Sequence, residues 1–564
     1  MTTDSDTAGP VDSNTDVSRT LRSRIGLWLG PIVFILFLAF VDLDPANPLV
    51  TRMAAVVLLM AIWWITEAIP IPATALLPLV LFPLLGIMRG GVVDANNRVE
   101  PLPGTDMSTL QVMYNSVAAQ YMDWIIFLFL GGFLIATAVE KWGLHKRIAL
   151  QILRIIGGVP QRLVLGFMLA TGFLSMWLSN TATTMMMMPM ALSLIVLYED
   201  LNRKITSGGG AVDKRAANFS MALLLGLAYS SSIGGLATII GTPPNGVLVT
   251  QMSQLFPDAP DITFAKWMIF ALPLSVLYMA LTWFLLCRFI FPLPATTPFS
   301  GRDFINREIA ALGPMSNEEK KVLGVFVTVA VLWMTRQQRL FGSGVDIFGW
   351  SYYLDALLVR LGTFPVGSYI DDGTVSITMA LTLFIIPASK QIGGRLLDWE
   401  STRNVPWGIL LLFGGGLAVA RGFSTSGLGN YLAMQFEVLL GDASPVVIVI
   451  AVTGFVTSFT ELTSNTATAS MVIPIMASLA QAIEVSPFLL LIPTALAASC
   501  AFMLPVSTPP NAIVYGSGRI PIMKMVKAGV WLNVLSVIII TGAVYTLGHL
   551  AFDVLGMFPE WAAP

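Results

Sequence analysis

Apolar runs close to the length of a bilayer's hydrocarbon core recur from residue 25 to residue 549, and they leave few architectures open. They lie at roughly 25–42, 53–69, 71–88, 124–140, 217–250, 267–292, 322–336, 373–388, 406–422, 486–515 and 528–549. About 20 residues of helix cross such a core. One or two runs would make a signal or an anchor; this many make a polytopic membrane protein. Of the 564 residues, 55% are hydrophobic and 11% charged, and mean hydropathy is +0.77. A soluble domain carries about 25% charged residues to keep its surface wet. Lipid cannot satisfy an unpaired backbone, so the expected fold is an all-α polytopic membrane protein.

Charge and the rarer residues remove other classes. A net charge of −2 offers no footprint for nucleic acid. Cys287 and Cys500 both sit in apolar stretches and build neither a disulfide framework nor a metal cluster. His145 and His549 are the only histidines and no HExxH occurs, which argues against zinc sites and His-bearing triads. Residues 1–22 are rich in Asp, Ser and Thr and read as a disordered cytoplasmic tail. They lack the charge-then-apolar order of a signal peptide.

Two further apolar regions, about 160–199 and 443–484, are split by polar motifs. They read as re-entrant helical hairpins, giving about eleven transmembrane helices and two hairpins. Placing the N-terminus in the cytoplasm puts 23 of the 31 lysines and arginines inside, which fits the positive-inside rule. The long outside loops at about 89–123 and 337–372 carry Gly, Pro and aromatic residues and suggest no role.

The chain repeats itself. Trp124 precedes Gly131-Gly132, and Trp407 precedes Gly414-Gly415-Gly416 at the same offset. Downstream come Ser179-Asn180-Thr181-Ala182-Thr183 and Ser464-Asn465-Thr466-Ala467-Thr468, with Pro189 and Pro474 at matching offsets beyond them. A second pair follows, Gly241-Thr242-Pro243-Pro244-Asn245 and Ser507-Thr508-Pro509-Pro510-Asn511. With the first hairpin opening inside and the second outside, the repeat is inverted, a plan common in secondary transporters.

The motifs imply a chemistry. Thr-Pro-Pro-Asn within an apolar run breaks a helix, because two prolines remove two donors and clash with the preceding turn. Freed carbonyls can coordinate a cation, and exposed helix N-termini can hold an anion. Ser, Asn and Thr add hydroxyl and amide groups without permanent charge. A single Ser-Asn-Thr is more simply helix glue; two, each beside a Thr-Pro-Pro-Asn, point to a binding site. Met185–Met188 read as packing and lipid contact, and the glycine clusters as close helix packing, with hinge motion second. Glu67, in Trp63-Trp64-Ile65-Thr66-Glu67-Ala68-Ile69-Pro70, and Glu461, four residues before Asn465, lie in apolar surroundings. An intramembrane carboxylate raises a functional question by default. An interfacial or structural role is the simpler reading of Glu67. For Glu461, a structural hydrogen bond stands against tuning of the site or proton coupling.

The Trp-Trp-x-Thr-Glu-Ala-Ile-Pro segment, both Ser-Asn-Thr motifs and both Thr-Pro-Pro-Asn motifs resemble the divalent anion–sodium symporter family, the INDY-type di- and tricarboxylate carriers. The resemblance spans nearly the whole chain after the tail. It implies a homodimer in the cell membrane, a scaffold and a mobile transport domain in each protomer, elevator-type alternating access, and Na+ as the coupled ion. A first sodium site would use Ser175, Ser179, Asn180 and the carbonyl of Gly241. A second would use Thr460, the carbonyl of Thr463, Asn465 and the carbonyl of Ser507. Substrate carboxylates would meet Asn180, Thr181, Asn465 and Thr466, with Thr242, Pro243, Thr508 and Pro509 lining the pocket. The corresponding division gives scaffold helices at 23–123 and 266–405, repeat cores at 124–265 and 406–550, and a C-terminal tail at 551–564.

The function expected is Na+-coupled symport of a C4-dicarboxylate such as succinate, malate or fumarate. Sulfate or tricarboxylate transport and sodium-independent exchange stay open beside it. A channel is a second class, since broken helices also build filters. An intramembrane enzyme is a third, disfavoured by the lack of a His-bearing metal motif and of paired aspartates in facing spans.

Overall fold

The computed structural model describes residues 21–88, 92–93, 99–100, 116–205, 214–293, 301–336, 349–362, 364–367, 370–389, 393–440 and 444–563. The tail at 1–20 and most of the two long loops lie outside the described residues. Apart from a two-residue antiparallel pair, Val92–Val93 with Val99–Glu100, the regular structure is helical. The first helix, Leu21–Phe40, already includes residues 21 and 22, which the sequence reading gave to the tail.

Among the described residues seven helices are long and apolar enough to cross a membrane. They are Leu21–Phe40, Pro48–Thr66, Ser116–Lys141, Asn180–Asp200, Phe264–Ile290, Trp407–Ser426 and Ile522–Phe552. Three shorter apolar helices, Asp372–Ile385, Pro445–Phe459 and Phe488–Ala498, and the apolar helical segment Ile71–Leu85 join them. The outer faces are oily: Trp28, Ile35 and Phe40 on the first helix, and Trp531, Val534 and Ile538 on Ile522–Ala543, are exposed. In water such surfaces would aggregate; against acyl chains they are ordinary.

Several segments differ from the sequence reading. The run at 71–88 is two short helices, Ile71–Thr74 and Leu77–Leu85, because Pro78 has no N–H to continue the ladder. Residues 350–360, assigned to a loop, form the helix Trp350–Arg360, with Tyr353, Leu357 and Val359 exposed. Glu67 is an exposed residue that ends helix Pro48–Thr66 in the left-handed conformation, at φ 49°.

Both polar interruptions behave alike. Pro160–Ser175 and Asn180–Ile205 are two arms joined by a short tip, as are Pro445–Phe459 and Asn465–Ala482. Each second arm tolerates its internal proline, Pro189 or Pro474. The runs at 217–250 and 486–515 are broken. Lys214–Gly235 gives way to Pro243–Leu255, and Phe488–Ala498 to Pro509–Tyr515. The prolines do not kink a continuing helix. They occupy the first positions of a new one, where a missing N–H costs nothing.

The two halves interlock. The half-helix Pro243–Leu255 packs on Asn465–Ala482 and Trp407–Ser426 of the second repeat, while Pro509–Tyr515 packs on Asn180–Ile205 and Lys214–Gly235 of the first. The amide of Gln251 bridges the repeats, donating to Gly416 O at 3.2 Å and Ser470 O at 3.1 Å. The glycine clusters permit these approaches. A Cβ on Gly131 would meet Ser376 Oγ at 2.3 Å, and one on Gly415 would meet Ala75 O at 2.4 Å. The Met run shares one helix between core and surface, with Met187 buried and Met185 exposed. Cys287 and Cys500 are free and buried.

Candidate functional site

The polar tips and the breaks meet at one cavity of about 610 Å³. Its wall contains all eight residues expected to meet substrate: Asn180, Thr181, Thr242, Pro243, Asn465, Thr466, Thr508 and Pro509. Of the residues expected at sodium, Ser179, Asn180, Gly241, Thr463, Asn465 and Ser507 also line it. Ser175 and Thr460 stand behind, each tied to the asparagine of its own tip. Ser175 Oγ lies 2.5 Å from the Asn180 carboxamide, and Thr460 Oγ1 lies 2.8 Å from Asn465 Oδ1. The same contact thus recurs at the same five-residue spacing in both repeats.

At the first tip oxygens crowd together. The Asn180 carboxamide faces Ser175 Oγ at 2.5 Å, Ser231 O at 3.0 Å and Gly241 O at 3.3 Å. Three acceptors around one amide are satisfied by turning its nitrogen to them, or by a cation among them with Oδ1 as a fourth oxygen. Such an all-oxygen, uncharged set suits a hard cation like Na+. The approach depends on two glycines. A Cβ on Gly235 would lie 2.8 Å from Asn180 Oδ1, and one on Gly241 would lie 2.5 Å from Gly235 O. Ser179 Oγ caps the second arm, accepting from Ala182 N at 3.2 Å.

At the second tip the single Thr460 hydroxyl proton is shared between Asn465 Oδ1 and Ala498 O, the latter 2.7 Å away, tying tip to break. The Thr463 hydroxyl is held by Phe459 O and Thr468 Oγ1. The Ser507 hydroxyl donates to Leu504 O and accepts from Asn511. Both hydroxyls are thus engaged within the tip and the break.

The breaks are braced from within. Asn245, fully buried, donates through Nδ2 to Thr238 O at 2.8 Å, Leu236 O at 3.2 Å and Gly235 O at 3.4 Å. Asn511 does the same with Leu504 O at 3.1 Å and Ala501 O at 3.2 Å. Thr242 Oγ1 and Ser499 Oγ, 3.2 Å apart, join one break to the other. The final Asn of each Thr-Pro-Pro-Asn therefore shapes the site without lining it.

Helices Asn180–Ile205, Pro243–Leu255 and Asn465–Ala482, of 26, 13 and 18 residues, all begin at the cavity. Their N-termini place roughly half a positive charge each there. Arg22 and Glu67 also line the cavity, and Arg22 Nη2 donates to Leu462 O at 2.7 Å. The sequence flagged neither Arg22 nor Ser231. A backbone carbonyl has no residue signature, and Arg22 reaches the site from a distant segment. The Thr-Pro-Pro-Asn motif did contain Asn245 and Asn511, but not the number of carbonyls each would brace.

The cavity is walled by hydroxyls, amides and helix ends within a bundle of apolar helices, and the class to which it belongs is that of membrane transporters. The chain belongs to the family described as "Sodium:sulfate symporter transmembrane region", whose model it matches over residues 27–552. It is 42% identical over 531 residues to "Sodium-dependent dicarboxylate transporter SdcS" of Staphylococcus saprophyticus, covering 94% of this chain and 92% of that one. The protein of the same description from Staphylococcus aureus strain NCTC 8325 is 42% identical over 522 residues, covering 92% and 90%. Among solved structures, Neisseria gonorrhoeae MtrF, from work on antimetabolite efflux pumps, aligns with TM-score 0.53 at 12% identity, covering 89% of this chain and 99% of that one. The Alcanivorax borkumensis YdaH transporter aligns with TM-score 0.50 at 13% identity, covering 85% and 99%. These last two share the fold.

Proposed function

We propose that this integral membrane protein couples Na+ to the import of a C4-dicarboxylate such as succinate, malate or fumarate. The observation that carries the reading is the convergence of two oxygen-bearing tips and two broken helices on one cavity. The first cation site is Ser175, Ser179, Asn180 and Gly241 O; the second is Thr460, Thr463 O, Asn465 and Ser507 O. Bound sodium ions add positive charge for a dianion beside that of Arg22 on the cavity wall. Asn180, Thr181, Asn465 and Thr466 donate to the substrate carboxylates, and Thr242, Pro243, Thr508 and Pro509 shape the pocket between them. The relatives named for sodium-dependent dicarboxylate transport favour this cargo.

In this reading the two tips belong to re-entrant hairpins entering from opposite sides, with the N-terminus in the cytoplasm. The repeat cores at 124–265 and 406–550 move as a transport unit against scaffold helices at 23–123 and 266–405, elevator fashion, in a homodimer in the plasma membrane. Uptake of labelled succinate into proteoliposomes, with and without an inward Na+ gradient, tests the reading. Uptake indifferent to sodium rejects symport in favour of exchange. Because the family description also names sulfate, competition by succinate, citrate, sulfate and glutamate decides the cargo.

A further inference from the structure

The two tips are alike in their asparagines but differ one residue beyond Ser175 and Thr460. The first repeat has Met176 there and the second has Glu461. Glu461 is buried, 4% exposed. Its Oε1 accepts from Phe502 N at 2.7 Å, Met503 N at 2.9 Å and Asn533 Nδ2 at 2.8 Å, and its Oε2 from Leu504 N at 3.2 Å. Four donors and no acceptor is the pattern of an ionised carboxylate. All four partners are neutral, although buried carboxylates ordinarily take a cationic partner. The first repeat fixes its break with a neutral group instead: Thr238 Oγ1 donates to Met176 O at 2.5 Å and accepts from Gly241 N at 3.0 Å.

Resting on the two cation sites proposed above, we propose that Glu461 is the positioning residue of the second one, and that its uncompensated charge makes this the tighter of the two. Glu461 follows Thr460 directly and precedes Thr463 by two residues. It grips three consecutive N–H groups of the break that leads to Ser507, so it sets where that stretch of backbone lies. A cation among Thr460, Thr463 O, Asn465 and Ser507 O supplies the missing countercharge. The first site, whose break is fixed through Met176 and Thr238, has no such anion among the described residues. The gripped loop also reaches the first site: the Phe502 ring packs edge-on against Tyr229, centroids 5.3 Å apart, and Tyr229 is two residues from Ser231.

The test uses the full chain in proteoliposomes and reads the half-saturating Na+ concentration separately from the succinate KM at saturating Na+. Glu461→Gln removes the charge and keeps an oxygen for the three donors on Oε1, losing the longer bond from Leu504 N. Its Na+ requirement is expected to rise by about tenfold or more, as loss of a nearby unit charge from a low-dielectric site implies, while succinate KM at saturating Na+ changes by less than about threefold. A Glu461→Gln protein with wild-type Na+ dependence overturns the proposal. Asn533→Leu serves if that variant does not fold. It removes one neutral bond and leaves the charge, so a lower melting temperature with a Na+ requirement within about twofold of wild type is expected. A tenfold shift there would show that the bond network, not the charge, governs the site, and would overturn the proposal as well. Wild-type uptake that ignores sodium would instead sink the symport reading on which this one rests.

Discussion

Asn245 makes the sharpest test of the braced-break geometry. Its side-chain nitrogen has two N–H groups and three carbonyls within reach, those of Gly235, Leu236 and Thr238, the shortest at 2.8 Å. Asn245→Ala strips two carbonyls of their donor at a depth where water does not replace it. Each orphaned buried acceptor costs about 1–3 kcal/mol. Against this, Asn245 Oδ1 is itself buried without a partner among the described residues, and the substitution relieves that. The net loss is therefore about 1–4 kcal/mol, enough to loosen the break without unfolding a chain of this size. Asn245→Asp is the harsher change, since it aims an acceptor-only carboxylate at the same carbonyls. Thermal unfolding of the purified protein should show a fall of a few degrees for Ala and more for Asp. Proteoliposome uptake should show a raised Na+ requirement, because Gly241, a proposed ligand, sits in the loosened segment. Wild-type melting and wild-type Na+ dependence in both variants would refute the reasoning.

Other expectations are simpler. Asn180→Ala and Asn465→Ala should each abolish uptake while the oligomeric state, followed by size-exclusion chromatography with light scattering, stays that of the wild type; near-normal uptake in both removes the site assignment. Gly235→Ala puts a methyl 2.8 Å from Asn180 Oδ1 and 2.9 Å from Gly241 O. Overpacking of that kind costs about 1–3 kcal/mol, so uptake should fall far more than the melting temperature, and unchanged uptake would contradict the contact. Lys141 Nζ, 2.5 Å from Asp398, and then Ser401 hold the Asp398 carboxyl below its usual 3.8, at about 2. A depressed carboxylate stabilises the fold above its unfolded value and loses that as pH falls through the folded one. The pair is surface-exposed, so Asp398→Asn should cost under about 1 kcal/mol at pH 7. The gap in melting temperature should close below pH 4, and a gap independent of pH would count against the pair.

What the sequence revealed was whatever it states twice. Asn180 and Asn465, with the prolines of both Thr-Pro-Pro-Asn motifs, are interpretable because duplication lifts them above ordinary polar residues in helices. Breakage at proline follows from the missing N–H alone. Contacts made by backbone, or by residues far apart in the chain, left no such trace. Ser231 O, the three amides gripped by Glu461 and the reach of Arg22 to Leu462 emerge only on folding. Glu67, read as interfacial or structural, is exposed at the left-handed end of its helix and lines the cavity, a placement that its apolar neighbours in sequence do not announce. Trp350–Arg360 lies in a stretch whose Gly, Pro and aromatic residues read as loop, and its helix shows only in the structure.

The crossed packing of the half-helices has a consequence for biosynthesis. Pro243–Leu255 rests on Asn465–Ala482, so the first repeat, though translated early, has no wall for one side until more than two hundred further residues emerge. Until then the polar first break has no partner from the second. A nascent first half is thus an unfinished object that must be sheltered during insertion. Separately expressed halves should be degraded singly yet become stable when made together.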